Sequence, residues 1–493
     1  MSKTKKAAKR KRQNDNQAEV SNKKRPNAPP TPDSDGTDRV EPAAALSLHT
    51  VVSEDEVDIT VDTLRTLAAH PAVIKSKACK DLRTAVYDFR QSCTTGINTV
   101  AETNLTSRIS AALVDGKYTD ALVLLAEMRL RGESPKLGAL CRWVRDIDVT
   151  SGFSQRNVEN IQRTRSQLER LRLLDAISRV TGTNDLNPSI SLLTSSDPFI
   201  LHKQWNLLDQ APATNSSSSS AEIAQFCPPD VKNKFKILET TRGPERKPPN
   251  LHDAVLYLSD DNAVPLSPTP PNTTHHKHPA VPNLSLMKDV LSHEECKAIV
   301  ASMEAVGFLP DAPIRDDGSE ASILAHNVYW IVDQAFHDLL WQRVLPFIPA
   351  EVGGRKARGI NRRFRVYRYV PGAEYRVHFD GAWPPSGIHP TTGQYQWDAS
   401  PPDAKQSSLF TFLVYLNDDF EGGETTFFTP SLVEGVMNAH PVRPMMGSIA
   451  LFPHGESKGA LLHEGTGVIK GAKYIIRTDV EYDVIQGKAA EFV

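Results

Sequence analysis

The chain has 493 residues, a formal net charge of −2 and 24% charged residues. This length allows two or three domains, and five cysteines without a CxxC pair argue against a structural zinc site. The sequence has neither a run of about 18 apolar residues nor an apolar N-terminal segment, so neither a membrane span nor a secretory signal is supported. We therefore expect a soluble intracellular protein in a reducing compartment.

Residues 1–45 predict a disordered basic tail. Residues 1–27 carry ten Lys or Arg and only Asp15 and Glu19 as acids, a charge of about +8, which leaves about −10 on the rest of the chain. Two basic clusters within residues 3–26 resemble a bipartite nuclear-localisation signal, which predicts an import receptor as partner and a nuclear location, with a cytoplasmic pool as the alternative. A basic tail that contacts nucleic acid or nothing specific is the competing interpretation.

Residues 46–180 are poor in glycine and proline and predict an α-helical domain. Leu168, Leu171, Leu174 and Ile177 recur at the spacing of one buried helix stripe, and residues 105–132 indicate a helical hairpin. The favoured interpretation of this region is a helical interaction or scaffold domain.

Residues 181–283 predict a partly ordered linker region. Five serines at 216–220 form a flexible interruption, and residues 265–282 are rich in proline. Three histidines in this second run, His275, His276 and His278, have the chemistry to bind metal, but without neighbouring carboxylates a solvated linker is the favoured interpretation.

Residues 284–484 predict a domain in which leading helices are followed by short strands. Ser292 and Glu295 form a capping-box pattern at the start of a helix. Strand patterns dominate from 361 onward, in RFRVYRYV, SLFTFLVYLN, TTFFTP, GSIALFP and KYIIRTDVEY. The predicted fold class is α+β, with a C-terminal double-stranded β-helix (jelly roll) and supporting helices, and a short C-terminal tail at 485–493.

A His-x-Asp pair, His378 and Asp380, stands in an extended segment of this domain. Residues i and i+2 of a strand project to the same face, so one imidazole and one carboxylate lie side by side. With His463 from a distant strand, they would complete the two-His-one-carboxylate triad of a non-haem Fe(II) site. Short His/Asp coincidences are common, so this pair alone is a weak signal.

The neighbouring residues strengthen the metal-site hypothesis. Strand alternation places Lys473, Ile475 and Arg477 on one face, and a fixed cation there would bind the far carboxylate of a dicarboxylate co-substrate. Tyr369, nine residues before His378, would donate its phenol to the same carboxylate.

Several motifs in this order resemble one known family. The motifs are VPNLSLMKDVLSHEECKAIV, YVPGAEYRVHFD, FLVYLNDDFEGGETTFF, GSIALFPH and HEGTGVIKGAKYIIRTDV, between about 283 and 484. This region resembles the prolyl 4-hydroxylase-type catalytic domain of the 2-oxoglutarate and Fe(II)-dependent dioxygenases. The resemblance implies an enzyme that uses Fe(II), 2-oxoglutarate and O2, with L-ascorbate as a further cofactor, and that hydroxylates a C–H bond while releasing succinate and CO2.

The same resemblance implies roles for individual residues. It implies that His378, Asp380 and His463 bind iron and that Lys473 binds the C5 carboxylate of 2-oxoglutarate, with Tyr369 assisting. Arg477 is the alternative cation, because the family uses Lys or Arg, and Thr425 or Thr426 would line the pocket.

The substrate is left open by these motifs. A protein side chain, with prolyl first, is the leading expectation; the alternatives are a nucleic-acid base, a small molecule, or a non-catalytic scaffold that uses the helical domain. The acidic folded part argues against nucleic acid as the main substrate. Residues 381–406, with Trp383 and Trp397, form a long segment that is either a recognition element or a surface insertion, and Arg365 and Arg376 would bind an acidic substrate or pair with carboxylates.

Overall fold

The computed structural model describes residues 51–95, 104–153, 161–181, 197–207, 220–246, 252–310, 325–455, 457 and 459–485. The predicted basic tail at 1–45, with its import segment 3–26, and residues 486–493 of the C-terminal tail lie outside this set, so these remain predictions. The chain divides into two compact units, Met1–Ala85 and Val86–Val493. No helix in the described parts of the chain is long and apolar enough to cross a membrane.

The described elements are mixed helices and strands. The α-helices are α1 Glu54–Ala68, α2 Pro71–Ile74, α3 Lys80–Thr95, α4 Leu105–Val114, α5 Tyr118–Leu130, α6 Leu137–Ile147, α7 Arg165–Val180, α8 Ser220–Ala224, α9 His293–Val306 and α10 Gln334–Val344. Short 3-10 helices occur at Lys77–Cys79, Val231–Lys234, Gly243–Glu245 and Leu345–Phe347.

The strands all belong to the second unit. They are β1 Phe199–Leu201, β2 Phe235–Thr241, β3 Ala254–Ser259, β4 Thr274–Lys277, β5 Ser285–Lys288, β6 Leu309–Pro310, β7 Ala325–Ile331, β8 Glu351–Val352, β9 Arg355–Ile360, β10 Arg363–Tyr369, β11 Tyr375–His378, β12 Gly387–Ile388, β13 Tyr395–Gln396, β14 Gln406–Tyr415, β15 Glu421–Gly422, β16 Thr425–Pro430, β17 Met437–Val442, β18 Ile449–Pro453, β19 Leu462–Gly465, β20 Val468–Lys470 and β21 Lys473–Asp483. The five strand patterns predicted after residue 361 all form strands.

The first described helix, α1, is well capped. The Ser53 side chain accepts a hydrogen bond from the Glu56 backbone N–H, and the Glu56 carboxylate accepts one from the Ser53 N–H, which makes a capping box at the start of α1. No residue of α1 is buried.

Two sheets of the second unit form a jelly roll. The smaller sheet has the order β1-β17-β16-β19-β11, and the larger sheet has the order β2-β3-β7-β10-β21-β14-β18-β5-β4, with β6, β8 and β9 paired at its side. Alternate residues of each strand face opposite sides, so Phe427 and Ile475 pack between the sheets while Phe428 and Ile476 belong to outer cores. The predicted jelly-roll fold is confirmed.

Helices cover the outer face of each sheet. On the larger sheet, α9 and α10 bury Ile299 and Phe336 in one core with Phe364. The capping box predicted at the start of α9 is present, since the Ser292 side chain accepts from the Glu295 backbone N–H and the Glu295 carboxylate accepts from the Ser292 N–H. These helices close the second side of each sheet, as layered folds require.

The helices at 105–180 differ from the separate helical domain that we expected at 46–180. The predicted hairpin and the stripe Leu171, Leu174 and Ile177 are present, but they share one hydrophobic core with Phe428 and Leu462 of the smaller sheet. The physical reason is that an amphipathic helix must bury its apolar stripe, and these helices bury it against the outer face of the smaller sheet.

The linker that we expected at 181–283 is also different in the structure. The strands β2 and β3 extend the larger sheet next to β7, and β4 pairs with β5, with His275 opposite Met287 and His276 opposite Leu286. The His278 ring contacts Trp205 with centroids 4.7 Å apart. The run 265–282 therefore differs from the solvated linker that we expected, because the pairing of β4 with the next strand, β5, satisfies backbone groups that would otherwise stay in water.

Leu174→Ala is expected to lower the free energy of unfolding of the second unit by about 2–5 kcal/mol, because a cavity would open in the core that helices and sheet share. Leu174 is 0% exposed, whereas Leu130 on the same helical layer is 89% exposed, so Leu130→Ala is the matched control with a change within about 0.5 kcal/mol. Urea unfolding should be followed by helix circular dichroism and by tryptophan fluorescence. A separate, earlier helix transition with an unchanged fluorescence transition would contradict the shared core.

Candidate metal and co-substrate site

Two neighbouring strands of the smaller sheet bring the candidate metal ligands together. His378 on β11 pairs directly with His463 on β19, and Asp380 lies just after β11. The ligand atoms of these three side chains lie within 4.8 Å of one another. His378 Nε2 is 3.5 Å from Asp380 Oδ1, and His463 Nε2 is 3.6 Å from Asp380 Oδ2. These side chains converge on one point between the sheets.

Backbone carbonyls orient both imidazole rings. The Nδ1 atom of His378 lies 2.7 Å from the Arg376 carbonyl oxygen, and that of His463 lies 3.0 Å from the Leu461 carbonyl oxygen. A carbonyl oxygen only accepts, so each Nδ1 carries the proton and each Nε2 presents its lone pair to the site. Burial and, to a smaller extent, the nearby His378 lower the pKa of His463 to about 3, which keeps this ring neutral and ready to bind a metal.

Two neighbouring side chains orient the Asp380 carboxylate and keep it ionised. The Thr411 hydroxyl donates a hydrogen bond of 2.7 Å to Asp380 Oδ2, and Arg477 Nε lies 3.3 Å from Oδ1. Burial would raise the pKa of Asp380, but the Arg477 guanidinium outweighs burial and holds that pKa well below the usual range. Two imidazoles and one carboxylate are the donor set of a non-haem Fe(II) site, so the residues present fit this metal.

A buried lysine stands at the other end of the same cavity. The cavity extends from the three candidate ligands to Lys473 and is also lined by Tyr369, Thr425, Ile475 and Arg477. Lys473 is 3% exposed, and its Nζ donates a hydrogen bond of 2.6 Å to the Gly423 carbonyl oxygen. Within the described residues, no carboxylate lies at ion-pair distance from this ammonium group. Burial lowers the pKa of Lys473 to about 8.

The glycine pair in EGGETTFF makes room for this lysine. Gly423 has φ +69°, and a Cβ there would lie 2.7 Å from the Phe420 ring and 3.2 Å from the Lys473 side chain. A residue with a side chain would be strained in this conformation and would displace one of these neighbours. The close approach allows the Gly423 carbonyl to hold Lys473.

Arg477, the alternative cation, has a different environment from Lys473. It contacts Asp380 at 3.3 Å and Asp479 at 3.4 Å, so its charge is already balanced by two carboxylates. Burial opposes the charge of Arg477, but these carboxylates outweigh burial and raise its pKa. The predicted face of β21 therefore lines one cavity, with Arg477 at the metal end and Lys473 at the far end.

The remaining sequence candidates separate clearly in the structure. Tyr369 lies beside Lys473, with the ammonium 5.7 Å from its ring centroid. Thr425 lines the cavity and accepts a hydrogen bond of 2.8 Å from the Tyr415 hydroxyl, whereas Thr426 contacts Thr466 at 3.0 Å and does not line it. Of the two threonines, Thr425 is the one that lines the cavity in the structure.

Several residues of this site were not found from the sequence. Thr411 and Tyr415 lie on the same face of β14, as strand alternation predicts. That this face lines the site follows only from the pairing of β14 with β21. The Tyr375 ring lies 4.1 Å from that of His378, three residues earlier in the predicted motif. Each of these residues needed the strand pairing to be known.

A buried carboxylate on the outer face of β19 was also missed. The Glu464 carboxylate accepts a hydrogen bond of 2.9 Å from the Ser151 backbone N–H and another from the Ser151 hydroxyl. Burial raises the pKa of Glu464 to about 7, although the bonds from Ser151 oppose the shift. Because Glu464 follows His463, this contact attaches a candidate ligand strand to the helical layer. No sequence signal connects residues 313 positions apart.

The sequence of this region matches a known family. Residues 364–478 match the 2OG-Fe(II) oxygenase superfamily. The matched segment contains all three candidate ligands, Lys473 and Arg477, so this part of the chain belongs to that superfamily. This segment therefore has the sequence and the candidate ligand set of a 2-oxoglutarate/Fe(II)-dependent dioxygenase, a class that uses Fe(II), 2-oxoglutarate and O2.

Solved structures that resemble this chain include prolyl hydroxylases. A viral collagen prolyl hydroxylase from Paramecium Bursaria Chlorella virus-1, in complex with 2-oxoglutarate, is 20% identical, with 41% of this chain and 97% of that chain covered and a TM-score of 0.27. A Pseudomonas putida prolyl-4-hydroxylase is 16% identical, with 42% and 94% covered and a TM-score of 0.26. HygX from Streptomyces hygroscopicus, with nickel, 2-oxoglutarate and hygromycin B bound, is 14% identical, with 41% and 84% covered and a TM-score of 0.27. No curated protein matches this chain at a significant level.

Thr411→Val is expected to weaken metal binding by about tenfold, because the Asp380 carboxylate would lose the hydroxyl that orients it while side-chain volume is kept. Anaerobic titration with Co(II), followed by absorption, measures this affinity. Thr429→Val is the matched control, since Thr429 is also buried but contacts His440 at 3.4 Å. Equal Co(II) affinity in both variants would mean that Thr411 does not orient the carboxylate.

Proposed function

We propose that this protein hydroxylates a C–H bond of a protein side chain, with prolyl as the first candidate, and converts 2-oxoglutarate to succinate and CO2. One observation carries the proposal: a single buried cavity has three convergent metal-ligand side chains at one end and an ammonium group without a carboxylate partner at the other. A dicarboxylate co-substrate has the matching chemistry, since one of its ends can chelate a metal and its far carboxylate can pair with a cation.

In this proposal His378, Asp380 and His463 hold Fe(II). The bound metal would supply the activation of O2 that removal of a hydrogen atom from a C–H bond requires. The chain itself keeps both Nε2 lone pairs directed inward, through the Arg376 and Leu461 carbonyls. Thr411 and Arg477 keep the carboxylate ionised and fixed, so the third ligand does not compete for a proton.

Lys473 binds the C5 carboxylate of 2-oxoglutarate in this proposal, with Tyr369 and Thr425 beside it. Arg477 is assigned to the metal end, where two carboxylates already neutralise it. L-Ascorbate would act from outside the cavity as a reductant that keeps the metal ferrous between turnovers. The protein substrate and prolyl preference rest on the sequence motifs that resemble the prolyl 4-hydroxylase type.

Succinate release tests the proposed reaction. Full-length protein supplied with Fe(II), 2-oxoglutarate and ascorbate is expected to release succinate, and the double variant His378→Ala/Asp380→Ala is expected to release none above background. His293→Ala, an exposed histidine at the start of α9, is the control and should keep the activity. Undiminished succinate release by the double variant would refute this site as the metal centre.

The affinity for 2-oxoglutarate is expected to fall by about tenfold between pH 7 and pH 9, because Lys473 loses its proton as the pH rises through its pKa of about 8. Titration calorimetry with the Mn(II)-loaded protein measures this change. Lys473→Arg is the control, since a guanidinium stays charged over this range and its affinity ratio between the two pH values should stay near one. A flat profile for the unmodified protein would instead assign the carboxylate contact to Arg477.

A further inference from the structure

A second, larger groove continues outward from the metal end of the cavity. It has a volume of about 360 Å³ and is lined by Arg246, Tyr329, Arg363, Trp383, Tyr395 and Trp397 among others. A narrower neck of about 60 Å³ shares four of these residues and is also lined by Arg477. Because Arg477 lines the metal cavity as well, the groove, the neck and the cavity adjoin one another.

Strand register shows that groove and cavity share one sheet face. Arg365 on β10 pairs with Arg477 on β21, and Tyr329 on β7 pairs with Arg365. Arg363 is two residues further along β10 and so faces the same side. With strands about 4.8 Å apart and a rise of about 3.3 Å per residue, Arg363 and Arg477 have Cα atoms roughly 8 Å apart. An extended peptide spans this distance with two to four residues.

Aromatic rings surround the Arg363 guanidinium. It lies 5.1 Å from the ring centroid of Tyr329, 5.1 Å from that of Trp383 and 5.6 Å from that of Trp397. Cation–π contacts hold the guanidinium in place, but they do not neutralise its charge. Within the described residues Arg363 has no carboxylate at ion-pair distance. A partly buried cation without a counter-ion is costly, and an anionic ligand would remove that cost.

The Arg246 guanidinium, also in the groove, likewise has no carboxylate partner among the described residues. Arg246 donates hydrogen bonds to the His252 carbonyl oxygen at 2.9 Å and to the Tyr329 hydroxyl at 3.2 Å, and no carboxylate of the described chain pairs with it. Arg376, which the sequence also suggested as an acid-binding residue, is different because its Nε pairs with Asp148 at 3.3 Å. Unbalanced charge among these arginines is thus concentrated in the groove.

We propose that this groove binds an acidic side chain of the protein substrate, two to four residues from the residue that is hydroxylated. The inference rests on the proposed function, because it assigns a recognition element to the same site. The carboxylate of Asp or Glu pairs with Arg363 and Arg246, whose planar forks match its geometry. Residues 381–406 supply Trp383 and Trp397 and are therefore part of substrate recognition rather than a surface insertion.

An acidic peptide fits this groove better than a nucleic acid does. Stacking of bases needs free aromatic faces, but Trp383 and Trp397 already contact each other, with centroids 4.7 Å apart, and contact Arg363. Exposed Glu239 and Glu245 also line the groove and would repel a continuous phosphate backbone. A single carboxylate reaches the arginines without lying along these acids.

Binding of two peptide pools tests the proposal. The pools are fluorescein-labelled 12-residue peptides with one fixed proline and either glutamate or glutamine three residues to each side of it. Full-length protein loaded with Mn(II) and 2-oxoglutarate is expected to bind the glutamate pool about tenfold more tightly in fluorescence anisotropy. Arg363→Gln should reduce this preference to less than twofold. Arg165→Gln, which changes a guanidinium that is 93% exposed on α7, is the matched control and should keep the preference.

Arg246→Gln provides a second variant in case Arg363→Gln does not fold, and it should also reduce the preference. Equal binding of both pools to the unmodified protein, binding of neither pool, or an unchanged preference in Arg246→Gln and folded Arg363→Gln would overturn the proposal. Arg363-dependent binding of a 12-nucleotide single-stranded RNA, without a glutamate preference, would overturn it in favour of nucleic acid. Failure of the proposed function would be seen separately, as absence of succinate release by the unmodified protein.

Discussion

The antiparallel register between β11 and β19 is the constraint on which the rest of the site depends. It places His378 directly opposite His463, and Phe427 on β16 lies on the other side of His463 in the same register. A slip of one residue would turn both imidazoles to the outer face, where Val377 and Leu462 now pack against the helices. The apolar residues between the ligands therefore do as much to define the site as the ligands do. The bonds from Ser151 to Glu464 support the same register from outside, because Glu464 can meet Ser151 only while His463 faces inward.

Much of the candidate site could be predicted from strand alternation. That rule places His378 with Asp380 and Lys473 with Arg477, and all four residues line one cavity. The rule does not decide between the two cations, because it contains no information on their partners. Only the structure shows that Arg477 has two carboxylates beside it and that Lys473 contacts a backbone carbonyl. The fold was predictable to the same degree: the strands after residue 361 have clear patterns of their own.

What could not be predicted depends on which elements of the chain contact one another. The strand β4 consists of four polar residues, Thr274 to Lys277, and becomes a strand because it pairs with β5. Likewise, the apolar stripe of α7 predicts a buried face without showing that Phe428 of the sheet covers it. A single sequence shows that a helix face must be buried, but it does not show which other element covers that face.

The arginines and lysine discussed along the shared sheet face differ in whether a carboxylate lies beside them. Arg477, in the middle, is balanced by Asp380 and Asp479, and this balance is necessary because an unpaired guanidinium so close to the ligands would repel a divalent cation. Lys473 at one end and Arg363 at the other have no carboxylate partner among the described residues. In our proposals these two cations stand where anionic groups enter: the far carboxylate of the co-substrate on one side and an acidic side chain of the substrate on the other. The metal end can then bind its cation without competition from either.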